Sequence, residues 1–341
     1  MKKLLSIGLA AMLAFGLATT SFAAGEADTA GSDTTGSGTT VTVDPTDTTK
    51  DHPTVTVTKK YTLIGEGTSP AEIFTLEQVN KEVKDGDATV APDLGTITGA
   101  DFAEGAATVN GTTGEITIAL PDYTSVGVYE YTLKEVAGTT AGVVYYPDDI
   151  KLVVTVINGE NGKLRIAAVH VESEGAKSDT FPNTYSAGSL KVTKTVEGNM
   201  GNKDKYFKFT VTLNAPKNKE VKSAIGVGET SYPSNPTSIT VGTATDFYLK
   251  DGETLSFTNV PYGVTYTVTE ANEDYTTTVN GTAGVEVTGT IEHETTTAAY
   301  VNTKTGEVDT GVVLNNMPYI LVLAVLAAGV AVFIIRKRRE D

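Results

Sequence analysis

The sequence predicts an all-β protein built from two tandem β-sandwich domains, and three observations carry that expectation. Thr, Gly, Val and Tyr dominate the middle of the chain, in short runs that alternate apolar with polar residues, the pattern of half-buried strands. The runs are separated by turn dipeptides, Asn110-Gly111, Asn158-Gly159, Asn161-Gly162, Asp251-Gly252 and Asn280-Gly281, pairs that accept the left-handed backbone of tight hairpins. The chain also repeats itself. Lys191-Val192-Thr193-Lys194 echoes Thr56-Val57-Thr58-Lys59, and Tyr300-Val301-Asn302 echoes Phe181-Pro182-Asn183. Lys59 and Glu135 stand 76 positions apart, as do Lys194 and Glu270. Two copies of one unit, joined near residues 186–189, explain such a repeat.

At the N-terminus, Lys2 and Lys3 precede an apolar run over 4–17 and small residues at Ser21 and Ala23, the order of a secretory signal peptide, placed over residues 1–23. Residues 24–53 are rich in Thr, Gly, Ser and Asp; they hold too little apolar surface to bury a core and are expected to form a disordered leader. The first domain is expected over 54–186 and the second over 187–304. The one weak helical candidate within them is 71–84. Residues 317–335 carry no charge and are long enough to span a bilayer. Arg336, Lys337, Arg338 and Arg339 follow, and the positive-inside rule keeps this tail, 336–341, in the cytoplasm. Everything between the two end segments is then outside the cell.

Composition narrows the function. The 341 residues carry a net charge of −16, which argues against nucleic acid as a partner, since that needs a basic surface. Cysteine is absent, which removes disulfides, thiolate metal sites and cysteine nucleophiles. His52, His170 and His293 stand alone and make neither a metal cage nor a Ser-His-Asp site. Asp85-Gly86-Asp87 lacks the other ligands of a calcium loop, so no metal is expected. Asn110 and Asn280 fit glycosylation sequons, but as Asn-Gly turns they need no such role. A secreted chain without disulfides must find its stability elsewhere.

Strand parity supplies a candidate. Residues two apart share a face, so Lys59 joins Val55, Val57, Tyr61 and Leu63; Glu135 joins Tyr129, Tyr131 and Leu133; and Asn183 joins Phe181 and Tyr185. In the second unit Lys194 aligns with Leu190, Val192 and Val196, Glu270 with Val264, Tyr266 and Val268, and Asn302 with Tyr300. One such residue would be a strand end, a bulge or a snorkelling lysine. Three residue types in the same order in both units point to chemistry. Burial drives lysine towards the neutral amine and glutamate towards the neutral acid. A neutral amine can attack the Asn carboxamide while the Glu shuttles protons and ammonia leaves. The product is a Lys–Asn amide cross-link between the first and last strands of a unit, and it needs no cofactor.

These motifs (VTVTKKY at Lys59, YTLKEV at Glu135, FPNTY at Asn183, KVTKTV at Lys194, YTVTEA at Glu270 and YVNTK at Asn302) resemble those of the streptococcal T-antigen-type backbone pilins of Gram-positive bacteria. The resemblance runs from Thr54 almost to the C-terminus. It implies two tandem Ig-like (CnaB-like) domains, each with a Lys–Asn isopeptide bond promoted by Glu. The tail, 305–341, resembles a cell-wall sorting signal whose motif is Glu307-Val308-Asp309-Thr310-Gly311. It departs from the usual pattern, with Asp309 where proline is typical and Glu307-Val308 in place of Leu-Pro. The resemblance implies that a sortase cuts between Thr310 and Gly311 and joins the Thr310 carbonyl to a lysine of the next subunit. Glu174-Gly175-Ala176-Lys177 fits the context of that acceptor lysine, which makes Lys177 the candidate. The implied partners are the sortase, identical subunits in a head-to-tail covalent polymer, minor pilins and peptidoglycan. The implied place is the surface pilus of a Gram-positive cell, reached through a membrane-anchored precursor. The alternative is a monomeric wall-anchored adhesin that binds host matrix or glycans. A wall-attached enzyme is disfavoured, because the six core residues react once with one another and give no turnover.

Overall fold

The computed structural model describes residues 54–159, 162–307 and 317–340. The expected signal peptide, the leader, Thr310 and Gly311 lie outside the described residues. Eleven strands build the first half: β1 (Thr54–Gly65), β2 (Glu72–Phe74), β3 (Leu76–Gly86), β4 (Ile97–Thr98), β5 (Ala100–Phe102), β6 (Thr112–Ala119), β7 (Gly127–Glu135), β8 (Val143–Val144), β9 (Ile150–Asn158), β10 (Leu164–Ser173) and β11 (Ala176–Lys177). The long strand β12 (Thr180–Glu197) follows. The second half adds β13 (Phe207–Asn214), β14 (Gly226–Val227), β15 (Thr245–Leu249), β16 (Thr254–Pro261), β17 (Thr265–Glu270), β18 (Thr276–Val279), β19 (Thr282–Ala283), β20 (Glu286–Thr290) and β21 (Thr295–Thr303). A helix, α1 (Met317–Glu340), ends the chain.

Each half is a sandwich around its own apolar core. In the first, β1, β6, β4 and β8 join the N-terminal part of β12, and the sheet β11-β10-β9-β7-β3 lies opposite. The core between them includes Val55, Val57, Tyr61, Ile116, Tyr131, Leu152 and Tyr185. In the second, β16, β18 and β21 join the C-terminal part of β12 against the sheet β15-β13-β17-β20, around Leu190, Val192, Phe209, Phe247, Val268 and Tyr300. The expected all-β fold of two tandem sandwiches is borne out.

One strand serves both halves. The 18 residues of β12 span roughly 56 Å at about 3.3 Å per residue. Its first part runs parallel to β1, from Thr58↔Thr180 to Gly65↔Ala187; its last part runs parallel to β21, from Ser189↔Thr295 to Glu197↔Thr303. The halves therefore meet without a linker. At the joint the backbones crowd: a Cβ on Gly188 would sit 2.2 Å from the His293 carbonyl oxygen, so glycine is required there.

The helical expectation for 71–84 is wrong: the segment forms β2 and most of β3. Its Glu, Gln and Lys content suits a helix, but β3 pairs along β7 from Leu76↔Glu135 to Gly86↔Gly127. Register shifts at Gln78/Asn80 and Val83/Asp85 break the two-residue alternation that would have announced a strand. In α1 the side chains described are those of 321–332 and 336–337, all exposed. Among the described residues no helix is long and apolar enough to cross a membrane.

Candidate functional site: two buried Lys–Glu–Asn triads

The alternation of β1 carries Lys59 into the first core: Val55, Val57, Lys59 and Tyr61 are all buried, and Lys59 is 0% exposed. Glu135 ends β7 on the face of Tyr131 and Leu133, and Asn183 lies on β12 between Phe181 and Tyr185, all buried. The three side chains meet. Lys59 Nζ forms an ion pair with Glu135 Oε2, and Asn183 Nδ2 donates to Glu135 Oε1 at 2.5 Å. The Tyr146 backbone N–H also donates to Glu135 Oε2, at 3.3 Å.

The second core repeats the arrangement. Lys194 on β12, Glu270 at the end of β17 and Asn302 on β21 are each 1% exposed. Lys194 Nζ lies 2.8 Å from Glu270 Oε1, and Asn302 Nδ2 donates to the same oxygen at 2.6 Å. The strand register explains why the geometry recurs. Lys59 is paired with Phe181 and Tyr61 with Asn183; Lys194 is paired with Tyr300 and Val196 with Asn302. In both halves the asparagine stands two residues beyond the lysine's partner on a neighbouring parallel strand, so both side chains leave the same face and converge.

Burial perturbs the charges. Desolvation pushes the Lys59 ammonium below the ordinary lysine value, against the opposing charge and hydrogen bond of Glu135. Lys194 is pushed down by the same cause, against Glu270. Desolvation also raises Glu270 above the ordinary carboxylate range, against Lys194 and Asn302. The second pair is thus biased towards amine and acid rather than ammonium and carboxylate. A permanently charged pair at this depth would cost more desolvation than its attraction returns. Aromatic rings enclose both amines: Phe74 lies 5.4 Å from Lys59 Nζ, and Phe207 lies 4.2 Å from Lys194 Nζ. Among the described residues Asn183 Oδ1, Asn302 Oδ1 and Glu270 Oε2 are buried without a hydrogen-bond partner.

Lys177 is exposed. It lies in the short strand β11, paired across from Glu172 on β10. Glu174 (φ 51°) and Gly175 (φ 76°) form the left-handed turn between them, the backbone of a two-residue hairpin. Beside the hairpin is a cleft of about 440 Å³ lined by Pro147, Asp148, Asp149, Lys151 and the turn from Glu172 to Gly175. No group of three or more His, Asp or Glu among the described residues could hold a metal ion. Sequence reasoning missed Tyr146 and the buried Glu72, which accepts hydrogen bonds from Thr140 Oγ1 and, at 3.2 Å, from the Tyr145 hydroxyl. Tyr146 falls in an irregular segment where periodicity carries no signal. Glu72 shares the parity of the core residue Phe74, a signal concealed by the helical reading.

Residues 55–186 match the family described as Spy0128-like isopeptide containing domain, and residues 188–304 match a domain of unknown function, DUF7601. A pilin of Streptococcus pyogenes serotype M1 is 30% identical over 248 residues, covering 67% of this chain and 73% of that protein. The pilus tip adhesin Cpa of Streptococcus pyogenes is 33% identical over 114 residues, 33% of this chain but only 15% of the adhesin. The crystal structure of the major pilin from Streptococcus pyogenes matches with a TM-score of 0.51 and 26% identity, over 74% of this chain and 99% of that one.

Proposed function

The chain belongs to the pilin family, and from that premise we propose that it is the shaft subunit of a cell-surface pilus, hardened by two self-formed Lys–Asn isopeptide bonds. The observation that carries the cross-links is the pair of buried triads in identical register. In each, the lysine Nζ attacks the asparagine Cγ, a new Nζ–Cγ bond forms and the Cγ–Nδ2 bond breaks. Glu135 or Glu270 takes a proton from the amine and returns one to the leaving nitrogen, which departs as ammonia. Folding brings the amine and the carboxamide to one carboxyl group, which replaces the entropy a catalyst would otherwise have to remove. Each site reacts once, so the protein is structural and the glutamates promote a single turnover.

The rest of the reading is assembly. Residues 1–23 are the export signal, 24–53 a leader, 54–186 and 187–304 the two domains, and 305–341 the sorting signal. Residues 317–335 hold the precursor in the membrane with its basic end cytoplasmic, while a sortase cuts between Thr310 and Gly311. The Thr310 carbonyl then passes to Lys177 of the next subunit, and a head-to-tail contact of this kind extends without closing. Minor pilins and peptidoglycan complete the chain's partners at the wall. One experiment tests all three bonds: tandem mass spectrometry of digested native polymer. The expected result is linked peptides joining Lys59 to Asn183, Lys194 to Asn302, and Thr310 to Lys177. Free Lys59 and Lys194 would refute the cross-links, and a Thr310 remnant on another lysine such as Lys203 would refute the acceptor.

A further inference from the structure

The two amines differ in what separates them from water. Around Lys59 Nζ, Phe74 (5.4 Å) is fully buried, as is Phe181, the register partner of Lys59. Tyr146 is not. Its ring lies 5.7 Å from Nζ, yet the residue is only half-buried, and Pro147, Asp148 and Asp149 after it line the cleft beside the Lys177 hairpin. Tyr146 therefore reaches from the amine to the partly exposed surface, next in the chain to residues that line that cleft. Three contacts hold it there. Its backbone N–H donates to Glu135 Oε2, its ring packs edge-on against Phe181 at 5.2 Å, and its hydroxyl donates to Ser173 Oγ at 2.9 Å. Ser173 is fixed in turn by donating to the Asp149 carbonyl at 2.7 Å. The second site has a thicker cover. Phe207 over Lys194 is fully buried, and Tyr275 packs edge-on against Phe207 at 5.2 Å.

We propose that Tyr146 is a positioning residue that roofs the Lys59–Glu135–Asn183 site, with Ser173 as the latch that holds the roof in place. The inference rests on the cross-linking reading above. Tyr146 contributes no atom to the product: Nζ–Cγ forms, Cγ–Nδ2 breaks, and the proton passes through Glu135 to ammonia. It keeps the reactants dry. Water reaching Nζ would stabilise the ammonium, which is not a nucleophile, and would loosen the contact between amine and carboxamide.

The second domain provides an internal clock in the full-length chain. After pulse-labelled synthesis, digestion at intervals reports the Lys59–Asn183 and Lys194–Asn302 bonds separately in the same molecules. Tyr146→Ala should slow the first bond roughly tenfold or more while leaving the second unchanged; Tyr146→Phe and Ser173→Ala, which keep the ring but each remove the hydroxyl latch, should both fall between Tyr146→Ala and the parent. A first bond that forms in Tyr146→Ala as fast as in the parent overturns the roof alone; a parent with no Lys59–Asn183 bond overturns the cross-linking reading and the roof with it. A second measurement reads sealing directly. In an Asn183→Ala background, where the amine stays free, N-hydroxysuccinimidyl acetate should leave Lys59 unlabelled, and adding Tyr146→Ala or Ser173→Ala should expose it. Equal labelling with and without the roof would overturn the proposal.

Discussion

The two domains hold the same three side chains in the same register, but they distribute the hydrogen bonds differently. Glu135 spreads its contacts over both oxygens, with Lys59 and the Tyr146 N–H on one and Asn183 on the other. Glu270 gathers Lys194 and Asn302 onto Oε1 and leaves Oε2 without a partner among the described residues. Burial raises Glu270 and lowers Lys194, each against the pull of its partner. What is held constant between the domains is strand register and dryness; what varies is how the carboxyl is partnered. The shared register brings amine and carboxamide to one carboxyl group in both domains, while the partners of that carboxyl differ.

The largest effect should come from removing each carboxyl. Glu135→Ala should abolish the first bond and Glu270→Ala the second, each without touching the other. The two proposed bonds would close loops of around a hundred residues, for which a disulfide is worth about 4–5 kcal/mol by the chain-entropy estimate. Because that estimate depends only on the logarithm of loop length, the two losses should be nearly equal despite the different surroundings. Calorimetry of the two variants, with intact mass to confirm one missing ammonia loss in each, checks the equality. A loss confined to one variant would mean that the domains do not share one mechanism.

A smaller effect is pH-dependent. In Asn302→Ala, Lys194 stays an amine. Its folded pKa is depressed, so the unfolded chain binds the extra proton between the folded value and the ordinary lysine value, and stability should rise with pH through that window. Glu270 is raised, so the folded state holds the extra proton above the ordinary carboxylate range, and stability should fall as pH climbs towards its folded value. Where the falling and rising windows meet or overlap the two slopes oppose each other, so the variant should show its stability minimum there. The cross-linked parent, whose Lys194 nitrogen is an amide, should lack the alkaline rise. Denaturant titrations across pH decide it.

Much of this was legible in the sequence because the strands that carry the chemistry alternate cleanly. Parity alone placed Lys59, Glu135, Asn183, Lys194, Glu270 and Asn302 in the cores, and burial of all six bears that placement out. The failures fall where alternation is interrupted. The bulged β3 passed for a helix. Tyr146 became visible only when the fold set its ring beside Lys59, and the joint at β12 carried no sign that one strand would continue through both cores.

That joint gives the last and smallest prediction, because there the two domains are unequal. Glu72 belongs to the first domain and its side chain is 5% exposed, while Lys222, which pairs with it at 3.0 Å, comes from the second. The Thr140 and Tyr145 hydroxyls also donate to this carboxylate, but Lys222 is the one cation paired with it among the described residues. The segment carrying Lys222 is docked by backbone bonds, Ala141 N–H to the Glu220 carbonyl at 2.8 Å and Glu220 N–H to the Thr139 carbonyl at 2.7 Å. Removing the lysine should leave the docking in place and strand a buried charge, at a cost of about 1–3 kcal/mol. Lys222 itself is half-exposed, so the lower end is expected. A substitution in the second domain should therefore weaken the first. In Lys222→Ala, hydrogen exchange should quicken in β2 and in the segment around Thr140, while β13 and β17 keep their protection and both cross-links still form. Loosening confined to the second domain would show that Glu72 does not depend on its neighbour's charge.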